Sequence, residues 1–208
     1  MKVQSKLEER LNAFSHGIGA FLGVIGIILL LLQNSYKSEF SIVSIVVYGL
    51  SIIILFTSST VYHSVSTPDL KHKFRILDHI SIYILIAGTY TPIVLISLLQ
   101  SKGLMLLGLV WVIALFGVIL KLFFTGKFNA ISTVLYVAMG WLIVLDFEAL
   151  KTIVEPNGIY LLFTGGFFYT VGVIFYAVEK IPYNHVIWHF FVLAGAISHF
   201  LMILNYVI

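Results

Sequence analysis

Seven runs of about 20 apolar residues, parted only by short polar breaks, decide what this chain can fold into. They cover approximately residues 13–32, 42–62, 76–99, 104–124, 131–150, 159–178 and 186–208. Each is long enough to cross about 30 Å of hydrocarbon as a helix. Each is apolar on all sides rather than alternating, which selects helices over the strands of a barrel. Only 10% of the 208 residues are charged and 60% are hydrophobic. A soluble domain uses roughly a quarter of its residues as charges, so a water-facing shell is excluded. The expected fold is all-α: one polytopic bundle of seven transmembrane helices over residues 1–208, in the cell membrane.

The breaks carry turn chemistry or charge: Gln33-Asn34-Ser35, Ser66-Thr67-Pro68-Asp69, Ser101-Lys102-Gly103, Thr125-Gly126-Lys127, Glu155-Pro156-Asn157-Gly158 and Lys180-Ile181-Pro182. None is long enough for a second domain. The absence of cysteine removes disulfides and thiolate ligands. Residues 1–15 are charged and lack a cleavable small-residue site behind a short apolar core, so no signal peptide is expected.

Lys and Arg set the expected orientation. The N-terminal segment has Lys2, Lys6 and Arg10; the second loop has Lys71, Lys73 and Arg75; Lys121 and Lys127 flank the fourth; the sixth has Lys180. Only Lys37, Lys102 and Lys151 fall on the other side, so nine of the 12 cations lie with the N-terminus. That side is read as cytoplasmic, and an odd number of spans leaves Ile208 outside. Apolar residues at Val3, Leu7, Leu11 and Phe14 fit a short amphipathic helix on the inner leaflet; a disordered charged tail fits equally.

Ionisable residues at membrane depth are costly and therefore mark function. This count brings Ser59 and His63 at the end of span two, Asp78 at the start of span three, and His185 and His189 at the start of span seven to one depth of the inner leaflet. His185 and His189 are four apart and share a helix face, roughly 6 Å apart along the axis. Two imidazoles so placed can bind one metal if another helix supplies a third ligand, for which His63 is the candidate. Three histidines would leave a fourth position open to water, as in a catalytic zinc site. Asp78 could take a proton from that water, and Ser59 could position the water or an oxyanion. Interfacial histidines also serve simply as hydrogen-bonders to headgroups or neighbouring helices, and Asp78 could cap a helix or pair with Arg75.

His199, about 15 Å deeper than His189, is expected to make an interhelical hydrogen bond. His16 is expected at a helix interface, with contact to a metal ligand as the alternative. His79 should point away from Asp78, and His72 falls in a basic loop. Pro92 suggests a kink, and Gly165-Gly166 close packing or bending.

Taken together, Ser59-Thr60-Val61-Tyr62-His63, Leu77-Asp78-His79, and His185-Val186-Ile187-Trp188-His189 with His199-Phe200 resemble the haemolysin III family. That family is the bacterial branch of the progestin and AdipoQ receptors, more distantly related to alkaline ceramidases. Asn12 to Ala20 and Ala87 to Pro92 fit the same pattern, so the resemblance covers essentially the whole chain. It implies Zn2+ in the inner leaflet held by His63, His185 and His189, with Asp78 on its water and Ser59 beside it. For bacterial members it implies a role in membrane homeostasis; hydrolysis of lipid amides is implied only by the distant branches.

Two functions are therefore expected to compete: a zinc hydrolase of a lipid amide or ester, with membrane lipids as partners and no nucleic acid, and a non-enzymatic regulator or receptor stapled by zinc. A pore-forming cytolysin fits less well, because no span is polar along one face. The orientation has a direct check. A reporter fused after Ile208 is expected to be active only outside the cell, and a brightly fluorescent cytoplasmic-type fusion there would overturn the seven-span count.

Overall fold

A computed structural model describes residues 4–208. Among them, seven helical stretches are long and apolar enough to cross a membrane. The first two spans are α1 (Lys6–Gln33) and α2 (Ser41–Ser64); the third is α3 (Pro68–Pro92). The fourth is α4 (Gly103–Phe124), and the fifth begins as α5 (Asn129–Gly140) and ends as α6 (Phe147–Ile153). The last two are α7 (Pro156–Ala177) and α8 (Asn184–Met202). Neighbours in sequence pack together, and α8 returns against α1 to close the ring. α3 is the most buried span and the axis of the bundle.

The spans match the sequence reading closely, but α1 and α3 begin earlier. α1 opens at Lys6 with a capping box, in which Ser5 and Glu8 satisfy each other's backbone amides. The segment ahead of span one is thus its first turns, neither a separate surface helix nor a tail. Val3 and Lys2 lie outside the described residues. Leu7 and Phe14 of the apolar stripe face outward, while Asn12, Ser15 and His16 face the bundle. α3 starts with Pro68 at its N-terminus and Asp69 in its first turn, both favoured helix openings. Lys71, His72, Lys73 and Arg75 are therefore helical rather than in a loop.

Small residues let the helices approach closely. A Cβ on Gly19 would stand 2.5 Å from the Phe56 ring, so α1 lies directly on α2. A Cβ on Gly165 would stand 2.2 Å from His199, so the pairing expected of the Gly165-Gly166 stretch is made by its first glycine, between α7 and α8. Beyond Pro92, where a kink is expected, α3 widens into one π-helical turn, Ile93–Ser97.

The fifth span departs from the expected continuous helix. It breaks at Trp141 and passes through a 3-10 stretch, Leu142–Asp146. A break inside hydrocarbon exposes backbone groups that only protein can satisfy. Tyr90 of α3 does so: its hydroxyl donates to the Gly140 carbonyl at 2.9 Å and accepts from the Ile143 amide at 2.8 Å. At the end of the 3-10 stretch Asp146 accepts from Ser101 Oγ at 2.8 Å and from the Lys102 amide at 2.9 Å, fixing it to the start of α4.

Tyr90→Phe keeps the ring and removes both bonds. It should cost about 1–3 kcal/mol, the scale for stranding buried polar groups. Thermal unfolding in detergent should show the loss, and an unchanged midpoint would mean that the break is held by other contacts.

Candidate metal centre

The end of the bundle that carries the N-terminus gathers polar side chains from four helices. α2 ends in Tyr62-His63-Ser64, so His63 sits in its last turn. α8 begins after Tyr183, whose φ of 54° turns the chain sharply. Asn184 Nδ2 donates to the Phe175 carbonyl at 2.9 Å and moors this start to α7. Helical spacing then stacks His185 and His189 on one face. His63, His185 and His189 are all buried, and one ring nitrogen of each lies within 4.8 Å of the others. Ring centroids are 4.8 Å apart for His63–His189 and for His185–His189, and 5.3 Å for His63–His185.

The group could hold a metal ion. Three imidazoles brought together in a buried place suit a borderline-soft divalent cation. His63 Nε2 and His189 Nδ1 are buried with no hydrogen-bond partner among the described residues. Such atoms are uncommon in folded proteins, and coordination of an ion is one reason for them.

Asp78 and Ser59 border the same cavity as His185 and His189. Hydroxyls along the α2–α3 contact set their register: Ser58 Oγ donates to Ser81 Oγ at 3.1 Å, and Ser81 Oγ to the Asp78 carbonyl at 2.6 Å. Ser59 Oγ faces the Asp78 carboxylate, and no hydrogen bond of ordinary geometry fixes it.

The remaining histidines divide. His199 Nε2 lies 3.1 Å from the Leu162 carbonyl, the interhelical bond expected of it. His16 takes the less expected of its two roles, with its ring stacked on His189 at 3.7 Å and 21°. His79 also borders the cavity, and it stands outside the metal group. Exposed His72 lies in the first turns of α3.

Glu9 is the residue that the sequence reading missed. Its Oε2 lies 2.7 Å from His63 Nδ1, and its Oε1 lies 2.9 Å from Lys71 Nζ. Glu9 sits in a charged N-terminal stretch, where a solvated side chain is the ordinary expectation. The available signal was the spacing Glu9, Asn12, His16, which puts three polar residues on one face of α1.

From the centre, the cavity runs along α3 past Ile82, Ile86 and Ile93, with Leu162 and Val192 opposite. Asp78 to Ile93 is 15 residues of helix, or on the order of 20 Å. The lining is mainly apolar beyond the histidine end.

Comparison with known proteins places these features in a family. The family model described as "Haemolysin-III related" matches residues 4–200. "Hemolysin-3" of Bacillus cereus is 44% identical over 202 residues, which is 97% of this chain and 92% of that protein. "Hemolysin-3 homolog" of Bacillus subtilis (strain 168) is 42% identical over 200 residues, 96% of this chain and 94% of that protein. The human "Monocyte to macrophage differentiation factor" is 28% identical over 207 residues, 96% of this chain and 84% of that protein.

The geometry makes a differential prediction for metal content. Alanine at His63, His185 or His189 should each remove most of the bound metal, since one of three ligands is lost. His199→Ala should leave it in place. Elemental analysis of the four purified variants checks this, and a site emptied by the His199 change but not by the His63 change would contradict the assignment.

Proposed function

The chain belongs to the haemolysin III-related family, and on that premise we propose that it is a zinc-dependent hydrolase of a lipid amide or ester, acting in membrane homeostasis. The observation that carries this reading is the shared cavity. A carboxylate and a hydroxyl line the cavity beside His185 and His189 at one end, with His63 grouped with those two rings, and a long apolar slot leaves from them. A metal stapling helices together needs neither the carboxylate nor the slot. A hydrolase of an acyl lipid needs both.

Zinc fits the donor set: three neutral imidazoles with room for a fourth ligand are the pattern of catalytic zinc, and zinc so held supplies Lewis acidity to water and to a carbonyl. The chain's own residues do the rest. The apolar slot takes a single linear acyl chain and so presents its carbonyl carbon to the polar end. Asp78 accepts a proton from the attacking water as the new C–O bond forms, and can return it to the departing amine or alcohol as the old bond breaks. Ser59 Oγ donates to the oxygen on which negative charge develops. The walls of α3, α7 and α8 keep bulk water from the reacting carbonyl.

Asp78→Asn separates this reading from a non-enzymatic regulator, which the joining of α2 and α8 by the three histidines would also suit. The amide keeps the size of the carboxylate but cannot take the proton. The variant should retain metal and thermal stability and lose turnover by roughly 10² or more, the scale of a general base. Ser59→Ala should lose less, because the base remains. Lipid hydrolysis or cellular complementation, measured with metal content on the same preparations, is the check. Full function in metal-loaded Asp78→Asn would leave the regulator and remove the hydrolase.

A further inference from the structure

We propose that Glu9 is a positioning residue for the metal centre: its carboxylate holds the His63 ring in the tautomer and rotamer that present Nε2 to the ion. The inference rests on the reading of His63, His185 and His189 as metal ligands.

Two observations on opposite sides of one ring carry it. On one side, Glu9 Oε2 lies 2.7 Å from His63 Nδ1. On the other, His63 Nε2 is buried and has no hydrogen-bond partner among the described residues. A neutral imidazole has one N–H and one lone pair, and an ionised carboxylate can only accept. With His63 neutral, as a metal ligand must be, the proton sits on Nδ1 and the lone pair on Nε2. A buried lone pair with no partner, aimed at two other histidines, is what a cation requires. Carboxylate-to-histidine hydrogen bonds serve metal sites in this way, fixing the ring and raising its basicity.

Glu9 is itself held. Lys71 Nζ lies 2.9 Å from its other oxygen. The same ammonium donates to the Tyr62 carbonyl at 3.1 Å and the Val65 carbonyl at 3.4 Å, on either side of His63 in sequence. It also lies over the Tyr62 ring, 4.7 Å from the centroid. Lys71 thus ties the first turns of α3, the last turn of α2 and the Glu9 carboxylate into one unit. α1 reaches a second ligand as well, through the stacking of His16 on His189. Glu9 and His16 are seven residues apart and share a face of α1, so this helix braces two of the three ligands.

A simpler role would make Glu9 only a pin between helices. The two roles differ in what they move. Loss of a pin lowers the stability of the metal-free protein and leaves its intrinsic affinity for metal alone. Loss of a positioning residue weakens the metal and alters its ligand field.

The test uses the full chain in detergent, stripped of metal. It is titrated with Zn2+ against a chelator of known affinity and, separately, with Co2+ for its visible spectrum. Glu9→Ala should bind Zn2+ about 10- to 100-fold more weakly, the range for removing such a partner. Glu9→Gln should fall between Glu9→Ala and the unaltered chain, because its amide oxygen still accepts from Nδ1 while carrying no charge. The Co2+ spectrum should change in both, and the unfolding midpoint of the metal-free protein should stay near that of the unaltered chain. Affinities within twofold of the unaltered chain would overturn the proposal. So would a loss of binding that only tracks a loss of metal-free stability, with an unchanged Co2+ spectrum. An unaltered chain that takes up neither ion would remove the underlying metal reading, and this inference with it.

Discussion

Hydrocarbon offers no partner to a polar side chain, and the arrangement of this bundle follows from that constraint. Buried Asn12, Ser15 and His16 face inward from α1, while Phe14, Phe21 and Leu32 face outward. A soluble helix would be the other way round. The polar groups that the chain carries at membrane depth must find one another, and one large group of them does so at one end. There α1, α2, α3 and α8 contribute Glu9, His63, Asp78 and the His185–His189 pair. The hydroxyls of Ser58 and Ser81 join α2 to α3, and Tyr90 repairs the break in the fifth span.

The same constraint explains why some partners remain missing. A buried imidazole nitrogen without a hydrogen bond is expensive, and His63 Nε2 and His189 Nδ1 are two such atoms. A cation between the three rings would satisfy both atoms. On the hydrolase reading proposed above, the apolar slot along α3 would be the substrate's route to the centre, and the polar end the place where its carbonyl would meet water.

Most of the span pattern was legible in the sequence because hydropathy over about 20 residues is a strong signal. Helical spacing put His185 and His189 on one face, and the depth implied by the charge count put His63 beside them; the structure brings these three together. What escaped was local or long-range. The start of α3 at Pro68 escaped because its first turns are charged and fall below any hydropathy threshold, although Pro68 and Asp69 are ordinary helix openings. The break at Trp141 escaped because its repair comes from Tyr90, about 50 residues away. Glu9 escaped because a glutamate near a chain terminus reads as solvated. Only the folded arrangement reveals that His63, 54 residues on, lies against it.

X-ray absorption at the zinc edge on the purified protein tests the account most directly, since it reads the ligands of the ion itself. The arrangement of His63, His185 and His189 predicts one zinc per chain with three imidazole nitrogens at about 2.0–2.1 Å and one further light ligand. A protein free of metal after preparation without chelators, or a metal whose shell lacks imidazole scattering, would contradict the three-histidine centre and the function built on it.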